Sequence, residues 1–266
     1  MAHRSAGWDR SASLDGRVAL VTGGGRGLGA SIAEALLAAG ATVVVNALTE
    51  RFLGPLVDRL ATSHGGRVHG VAGDIACPRG ASEIVAATIR LGGPVDMLIN
   101  GVGDALQRDL APSDDEGADL KAIDMLLDLN LKSAIYCTRA AAPGLMASGR
   151  GRVINLASVI GGLHGEAHLS VYAAAKAALI GFTRSLAREW APYAITVNAV
   201  APGIFPDMEA MSPAQRLAAE QAFLDRIPLG RLGRPEEVGH LAAFLASDQA
   251  AYVTGQIIAC DGGLSA

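Results

Sequence analysis

Residues Arg17–Gly29 read RVALVTGGGRGLG: a short β-branched apolar run, a glycine-rich turn, then the start of a helical pattern. Arg17–Thr22 is expected to be a strand and Leu28–Ala39 a helix. The glycines between them permit positive φ angles and let an anion approach the backbone. The helix behind them offers free N–H groups and the positive end of its dipole to that anion. The spacing is GxxxGxG rather than the GxGxxG of the best-known dinucleotide fingerprint.

Outward from this unit the same alternation repeats. Thr42–Asn46, Arg67–Val71, Val95–Asn100, Arg152–Ala157, Ile195–Val200 and Gln256–Ala259 read as further strands. Helices are expected near Pro55–Ser63 and Arg79–Leu91, through Asp124–Met146, and over Tyr172–Glu189. Continuously apolar strands separated by helices indicate a parallel sheet covered on both faces. The expected fold is therefore α/β, one Rossmann-like doubly wound sheet of about seven strands. No linker or internal repeat interrupts it, so 14–266 is read as a single dinucleotide-binding oxidoreductase domain and 1–13 as a flexible tail. Two stretches break the alternation: the acidic, turn-rich Asp104–Asp119 and the long Ile204–Arg231, read as a substrate lid with Met208, Met211, Leu217 and Phe223 on its apolar side.

Composition narrows the class. Of 266 residues half are hydrophobic, enough for a substantial core, while aromatics are only 4%. A net charge of −4 with no basic stripe argues against nucleic acid. Cys77, Cys137 and Cys260 form no CxxC or Cys/His cluster, so neither a disulfide framework nor a zinc site is implied. No apolar run is long enough for a bilayer and the first residues lack a signal-peptide core, so a cytoplasmic protein is expected.

The chemistry is read from Tyr172-Ala-Ala-Ala-Lys176, an i, i+4 pair on one helix face. A neighbouring ammonium stabilises a phenolate and lowers the tyrosine pKa, so the hydroxyl can exchange a proton with a substrate oxygen. Ser158 follows the fifth strand, at the sheet edge where ligands of such folds bind, and can hydrogen-bond the same oxygen.

With these motifs in order, the chain resembles the short-chain dehydrogenase/reductase family over Gly16–Leu264. The resemblance is carried by TGGGRGLG at Thr22–Gly29, Asp74 after the third strand, NGVG at Asn100–Gly103, and Asn130 in DLNLKS. It continues through Ser158 in INLAS, YAAAK, NAVAPG at Asn198–Gly203, RLGRPEEV at Arg231–Val238, and the closing VTGQIIACDGG. It implies roles residue by residue. Tyr172 would be the general acid in reduction and the base in oxidation. Lys176 would hold the nicotinamide ribose and acidify the tyrosine, Ser158 would polarise the carbonyl, and Asn130 would hold a water that resupplies protons. Gly23, Gly25, Gly27, Leu28 and Gly29 would line the pyrophosphate. Asp74, Ile75, Asn100 and Gly101 would border the adenosine, and Pro202 and Gly203 the nicotinamide. Two departures stand out: Gly101-Val102 where relatives read Asn-Ala, and Ile204-Phe205 where many carry a threonine.

Relatives that prefer NAD usually end the second strand with an acid, which would repel a 2′-phosphate. Here that strand ends at Asn46, and Arg26 sits where relatives preferring NADP often carry a base, so NADP(H) is expected over NAD(H). Among relatives the chain looks most like the 3-oxoacyl-(acyl-carrier-protein) reductases. That implies an NADPH-dependent reduction of a ketone, carrier-bound in those relatives. The alternatives are a dehydrogenase that oxidises a secondary alcohol, and a non-catalytic dinucleotide sensor. The latter fits poorly with an intact Ser-Tyr-Lys set. His164-Gly-Glu-Ala-His168 is not a metal motif and reads as a loop that could touch substrate, and Asp114–Asp119 reads as a solvated loop. A homotetramer, or a homodimer, is implied by resemblance.

Overall fold

The structure, a computed structural model, describes residues 12–112, 114–205, 212, 214 and 221–266. Its frame is a seven-stranded parallel sheet: β1 (Val18–Thr22), β2 (Thr42–Ala47), β3 (Val68–Ala72), β4 (Met97–Asn100), β5 (Arg152–Leu156), β6 (Thr196–Pro202) and β7 (Ile257–Cys260), in the order β3-β2-β1-β4-β5-β6-β7. The order reverses between β1 and β4, so the connections leaving these neighbours run to opposite sides and open a crevice at their carboxyl ends. Their register pairs Thr22 with Asn100 at that edge.

Alternation along each strand divides the core in two. Ala19, Val21, Met97 and Ile99 face one layer, with α1 (Gly27–Ala38), α2 (Glu50–His64) and the helix Pro235–Ala246. Leu20, Leu98 and Val153 face the other, with α3 (Pro78–Gly92), α5 (Ser133–Ala147) and α7 (Ser170–Trp190). The fold expected from the sequence is the one observed: helices cover both faces of one Rossmann-like sheet.

The differences lie at helix ends. α2 begins at Glu50 rather than near Pro55, because Leu53, buried in the core, anchors a turn ahead of the proline. The expected helix over Asp124–Met146 starts earlier, as α4 (Glu116–Leu127), where the Asp115 carboxylate accepts a hydrogen bond from Ala118 N at 2.9 Å. It then passes through one π turn, Asp128–Lys132, before α5. A short kinked segment, α6 (Val159–Gly162), with Ile160 and Gly161 outside helical geometry, follows β5. The helix Pro235–Ala246, here α8, was read only as part of a motif. Its start carries the expected signs, proline in the first turn and Glu237 accepting from Arg234 N at 2.9 Å. Of the lid residues, Met208, Met211 and Leu217 lie outside the described residues, as does 1–11 of the tail.

At the amino ends of β1 and β5, remote from the crevice, two arginines are buried together. Arg17 donates to Ala246 O and Arg150 O, Arg152 donates to Arg150 O and Gly151 O, and both reach the half-exposed Asp248 at 3.5 and 3.1 Å. Burial first, then repulsion from Arg152, lowers the Arg17 pKa to about 10. One carboxylate thus offsets two cations. Asp248→Asn should lower the unfolding free energy by roughly 1–2 kcal/mol, less than a fully buried pair would give because Asp248 is solvent-screened. Urea denaturation would show this as a lower midpoint at constant slope, and an unmoved midpoint would refute it.

Candidate active site

The crevice at the switch point is built from backbone before side chains. Gly23 has φ +65°, and a Cβ there would meet Gly101 C, O and Val102 N at 2.8 Å. A Cβ on Gly29 would collide with Gly23 O. Thr22 Oγ1 fastens the two strands' ends: it donates to Ile99 O at 3.2 Å and accepts from Gly101 N at 3.1 Å. α1 starts at the floor of this turn without a side-chain cap and without an acid in its first turn. Its first N–H groups and dipole therefore face a space that no side chain of the turn fills. These are the features a dinucleotide pyrophosphate requires, so the turn fits the group expected there.

Two cavities adjoin the backbone at 101–103. One, of about 420 Å³, is lined by Gly23, Gly27, Leu28 and Gly29 at one end and by Ser158, Tyr172, Lys176, Pro202 and Gly203 at the other, with Arg26 and Gly101 between. The second, of about 490 Å³, is lined by Asn46, Asp74, Ile75 and Val102 and by residues of α4 and the π turn. The candidate residues thus fall into two groups, those expected at the reacting end and those expected to border the adenosine. Gly25 lies behind the turn, against Ala47 and Phe52. Asn100 is brought to neither cavity by its side chain. Its amide donates to Thr138 Oγ1 at 3.0 Å and Asn155 Oδ1 at 2.8 Å inside the core, so at the crevice the fourth strand presents backbone. Asn46 keeps its amide on the carbonyls of Val71 and Gly73, both at 3.1 Å.

At the reacting end, α7 carries Tyr172 and Lys176 a turn apart. Lys176 is buried, donates to Leu156 O at 2.9 Å, and lies 5.7 Å from the Tyr172 ring centre. Burial lowers its pKa to about 8. Ser158, just past β5, is buried, and its Oγ accepts from Ile160 N at 3.1 Å. The tyrosine does not show the acidification expected from its lysine. Burial pushes its pKa up, the hydrogen bond with Ser158 pulls it partly back, and the Asp104 carboxylate raises it again. The net effect holds its pKa above the ordinary tyrosine value.

The π turn places Asn130. Its amide donates to Leu126 O at 3.0 Å and Asp104 O at 2.9 Å, and its carbonyl accepts from Asp104 N at 3.2 Å. An extra residue in a helical turn re-aims one side chain, and π turns recur at functional sites for that reason. A Cβ on Gly103 would stand 2.6 Å from Asn130 Oδ1 and 2.8 Å from Lys176 Nζ, so both are pressed against the same backbone. Asp104 was read only as the edge of an acidic loop. The structure puts it on the crevice wall, clamped at N and O by Asn130. The signal was its position directly after NGVG.

The loop of His164–His168 goes elsewhere. His168, at φ +62°, pairs through Nδ1 with Asp109 Oδ1 at 2.6 Å, and its carbonyl accepts from Arg108 N at 2.7 Å. Glu166 holds Arg226 at 3.0 Å. These contacts tie the loop after β5 to the loop after β4 and to the end of the lid segment.

The fold and this crevice define an oxidoreductase of the α/β class, and comparison with known proteins agrees. The family described as enoyl-(acyl carrier protein) reductase matches residues 23–265. The 3-oxoacyl-(acyl-carrier-protein) reductase FabG of Vibrio cholerae is 39% identical over 257 residues, covering 95% of this chain and 98% of the relative. The 2,3-dihydroxy-2,3-dihydro-p-cumate dehydrogenase of Pseudomonas putida is 38% identical over 253 residues, covering 94% and 95%. Among solved structures, the Pseudomonas aeruginosa RhlG/NADP active-site complex superposes with a TM-score of 0.86 at 35% identity, covering 96% of this chain and 99% of that one. The chain belongs to the short-chain dehydrogenase/reductase family, whose members are oxidoreductases that bind nicotinamide dinucleotides.

Gly103→Ala should displace Asn130 and Lys176 together while sparing the core. A displacement approaching an ångström lowers turnover by roughly 10- to 100-fold. The measurement is kcat against KM with circular dichroism as the folding control, and a variant with unchanged kcat would show that the crowding is slack. Asp104→Asn should shift the pH profile. Removing the carboxylate removes a cause that raises the Tyr172 pKa, so the loss of carbonyl reduction at high pH should begin at a lower pH than in the wild type. An unmoved or upward-moved limb would contradict this.

Proposed function

We propose that the protein reduces a ketone to a secondary alcohol with NADPH, in the manner of the 3-oxoacyl-thioester reductases, with Tyr172 as proton donor. The observation that carries the reading is the state of that phenol. Burial beside Ser158 raises its pKa, which favours the protonated form, and it lies on the same crevice as an uncapped helix start. A neutral phenol is an acid, which is what carbonyl reduction needs.

The bound nicotinamide supplies a hydride to the carbonyl carbon. The remaining work falls to the chain's own residues. Ser158 Oγ and Tyr172 Oη orient the carbonyl oxygen, and the phenol proton passes to that oxygen as negative charge develops on it. Lys176, cationic below about 8 and without a carboxylate at its ammonium, stabilises the resulting phenolate until a proton returns. Asn130, held open by the π turn, fixes the backbone along which that proton can be resupplied. Asp74 and Ile75 would hold the adenosine, and Pro202 and Gly203 would border the nicotinamide.

NADP(H) is favoured over NAD(H) because β2 ends in Asn46, whose amide is committed to backbone carbonyls, and because Arg26 lies beside the turn. The similar proteins named as 3-oxoacyl-(acyl-carrier-protein) reductases support a carrier-bound thioester as substrate. A cytoplasmic location and a homotetramer or homodimer belong to the same reading. Leu120 and Met125 stand exposed on α4, and among the described residues no helix is long and apolar enough to cross a membrane.

A second reading, oxidation of a secondary alcohol, is favoured by Asp104. A carboxylate on the crevice wall would accept a hydrogen bond from a further hydroxyl of a diol, and one similar protein is named as a dihydrodiol dehydrogenase.

Tyr172→Phe should lower turnover by about 10²- to 10⁴-fold, the usual contribution of a placed general acid, in whichever direction the wild type is active. Wild-type and variant proteins would be compared on a 3-oxoacyl thioester with NADPH and on vicinal diols with NADP⁺, following the reduced nicotinamide band. Wild-type rates in the phenylalanine variant would remove the mechanism. Absence of thioester turnover alongside diol oxidation would replace the first reading with the second.

A further inference from the structure

The segment His164–His168 lines neither cavity of the crevice, yet its last residue stands two places before the helix that carries Tyr172. His168 turns the chain with φ +62°. That conformation costs a residue with a side chain roughly 1–2 kcal/mol. Adjacent residues of the loop after β4 hold it there. Asp109 Oδ1 lies 2.6 Å from His168 Nδ1, and Arg108 N donates to the His168 carbonyl at 2.7 Å. A carboxylate only accepts, so Nδ1 carries the proton. Arg108 is itself anchored on α4, its guanidinium 2.7 Å from the Asp119 carboxylate.

These contacts make the loop after β4 a strap. At one end Asn130 clamps Asp104 at N and O. At the other, Arg108 and Asp109 grip the residue ahead of the α7 N-cap. Packing alone does not fix that helix start. Leu169, its N-cap, is buried but supplies no side-chain cap. Beneath the strap a cavity of about 30 Å³ remains beside Leu106, Leu126, Ser170 and Val171. A gap on one side forfeits the contacts that would otherwise hold its lining. The clasp of His168 with Asp109 contributes little stability, because both side chains are mostly exposed. What it sets is direction. Tyr172 lies in the first turn of α7, where a small tilt of the helix start moves the phenol oxygen against Ser158.

We infer that His168 and Asp109 are positioning residues for Tyr172, their clasp fixing the start of α7 so that the phenol stays within reach of Ser158. The inference rests on the proton-donor reading of Tyr172 above. Neither side chain lines the cavity that Ser158 and Tyr172 share, so both act through the helix start.

The position of Tyr172 is readable without turnover. The chain has four tyrosines, so protein with NMR-active carbon at tyrosine Cζ gives few resonances, and the one missing in Tyr172→Phe belongs to Tyr172. Asp109→Ala should shift or broaden that resonance at neutral pH and leave the others in place. Asp109→Asn, whose amide oxygen still accepts from the imidazole, should bring it back towards the wild-type position. His168→Gly relieves the backbone but removes the clasp, so it should behave as Asp109→Ala does, and the double variant should add nothing further. Glu166→Gln, which loosens the same loop at Arg226, should leave the Tyr172 resonance unmoved. On the substrate and in the direction that the wild type turns over, Asp109→Ala should lower kcat by about tenfold, as a displacement of a fraction of an ångström does. The KM for the nicotinamide cofactor and the thermal midpoint should stay at wild-type values. A Tyr172 resonance identical in wild type, Asp109→Ala and His168→Gly overturns the positioning role. Glu166→Gln moving it as far as Asp109→Ala does overturns that role too, because the effect then belongs to the loop as a whole. Full turnover in Tyr172→Phe overturns the proton-donor reading instead, whatever the resonance does.

Discussion

The structure depends on a contact between backbones. Where β1 and β4 part, Gly23 rests on Gly101 and Gly29 on Gly23, with the Thr22 hydroxyl fastening the two strand ends. Any side chain at Gly23 or Gly29 would have to displace main chain, which cannot yield without moving the sheet. The contact brings the uncapped start of α1 to the crevice, and it fixes how far the fourth strand's end stands from α7. The substitution of Gly-Val for the Asn-Ala of relatives after Asn100 is absorbed here. A Cβ at Gly101 would meet Thr22 O at 2.5 Å, so in this chain the turn packs closer than that side chain allows.

The reacting end shows a second consequence of tight packing. Lys176 is buried with one backbone carbonyl as its recorded acceptor, and burial alone brings it to about 8. A stability-optimised core would not keep an ammonium there. The same burial raises the Tyr172 pKa, so the two groups are shifted in opposite directions: the phenol is made a weaker acid and the amine a weaker base. Asn130 and Gly103 hold the pair at fixed separation from the Asp104 backbone, so the electrostatics are set by geometry rather than by solvent.

What could be read from the sequence follows from how each feature is encoded. The strands, the turn and the Tyr-Lys pair are local patterns, and all reappear within a residue or two. The start of α2 was missed because Pro55 resembles a helix opening, whereas burial of Leu53, a tertiary fact, carries the helix past it. The π turn at Asp128–Lys132 has no composition of its own, since it is stabilised by what Asn130 reaches in another loop. Asn100 sits in the motif expected for it, yet its side chain serves a buried ladder through Asn155 to Thr183. Motif position alone does not say which face of a strand a residue uses.

The same distinction explains why the cofactor is legible and the substrate is not. The dinucleotide's half of the crevice is made from strand ends and helix starts, whose positions the sheet dictates. The loop after β5 is instead fastened by exposed pairs, His168 with Asp109 and Glu166 with Arg226. Exposed pairs of this kind contribute little stability, so the fold neither demands these residues nor is harmed by exchanging them. Asp104 is the exception that joins the halves. Its backbone is held at both N and O by Asn130, and the residue lines the same crevice as Ser158 and Tyr172, so the loop after β4 is tied to the π turn at the crevice wall.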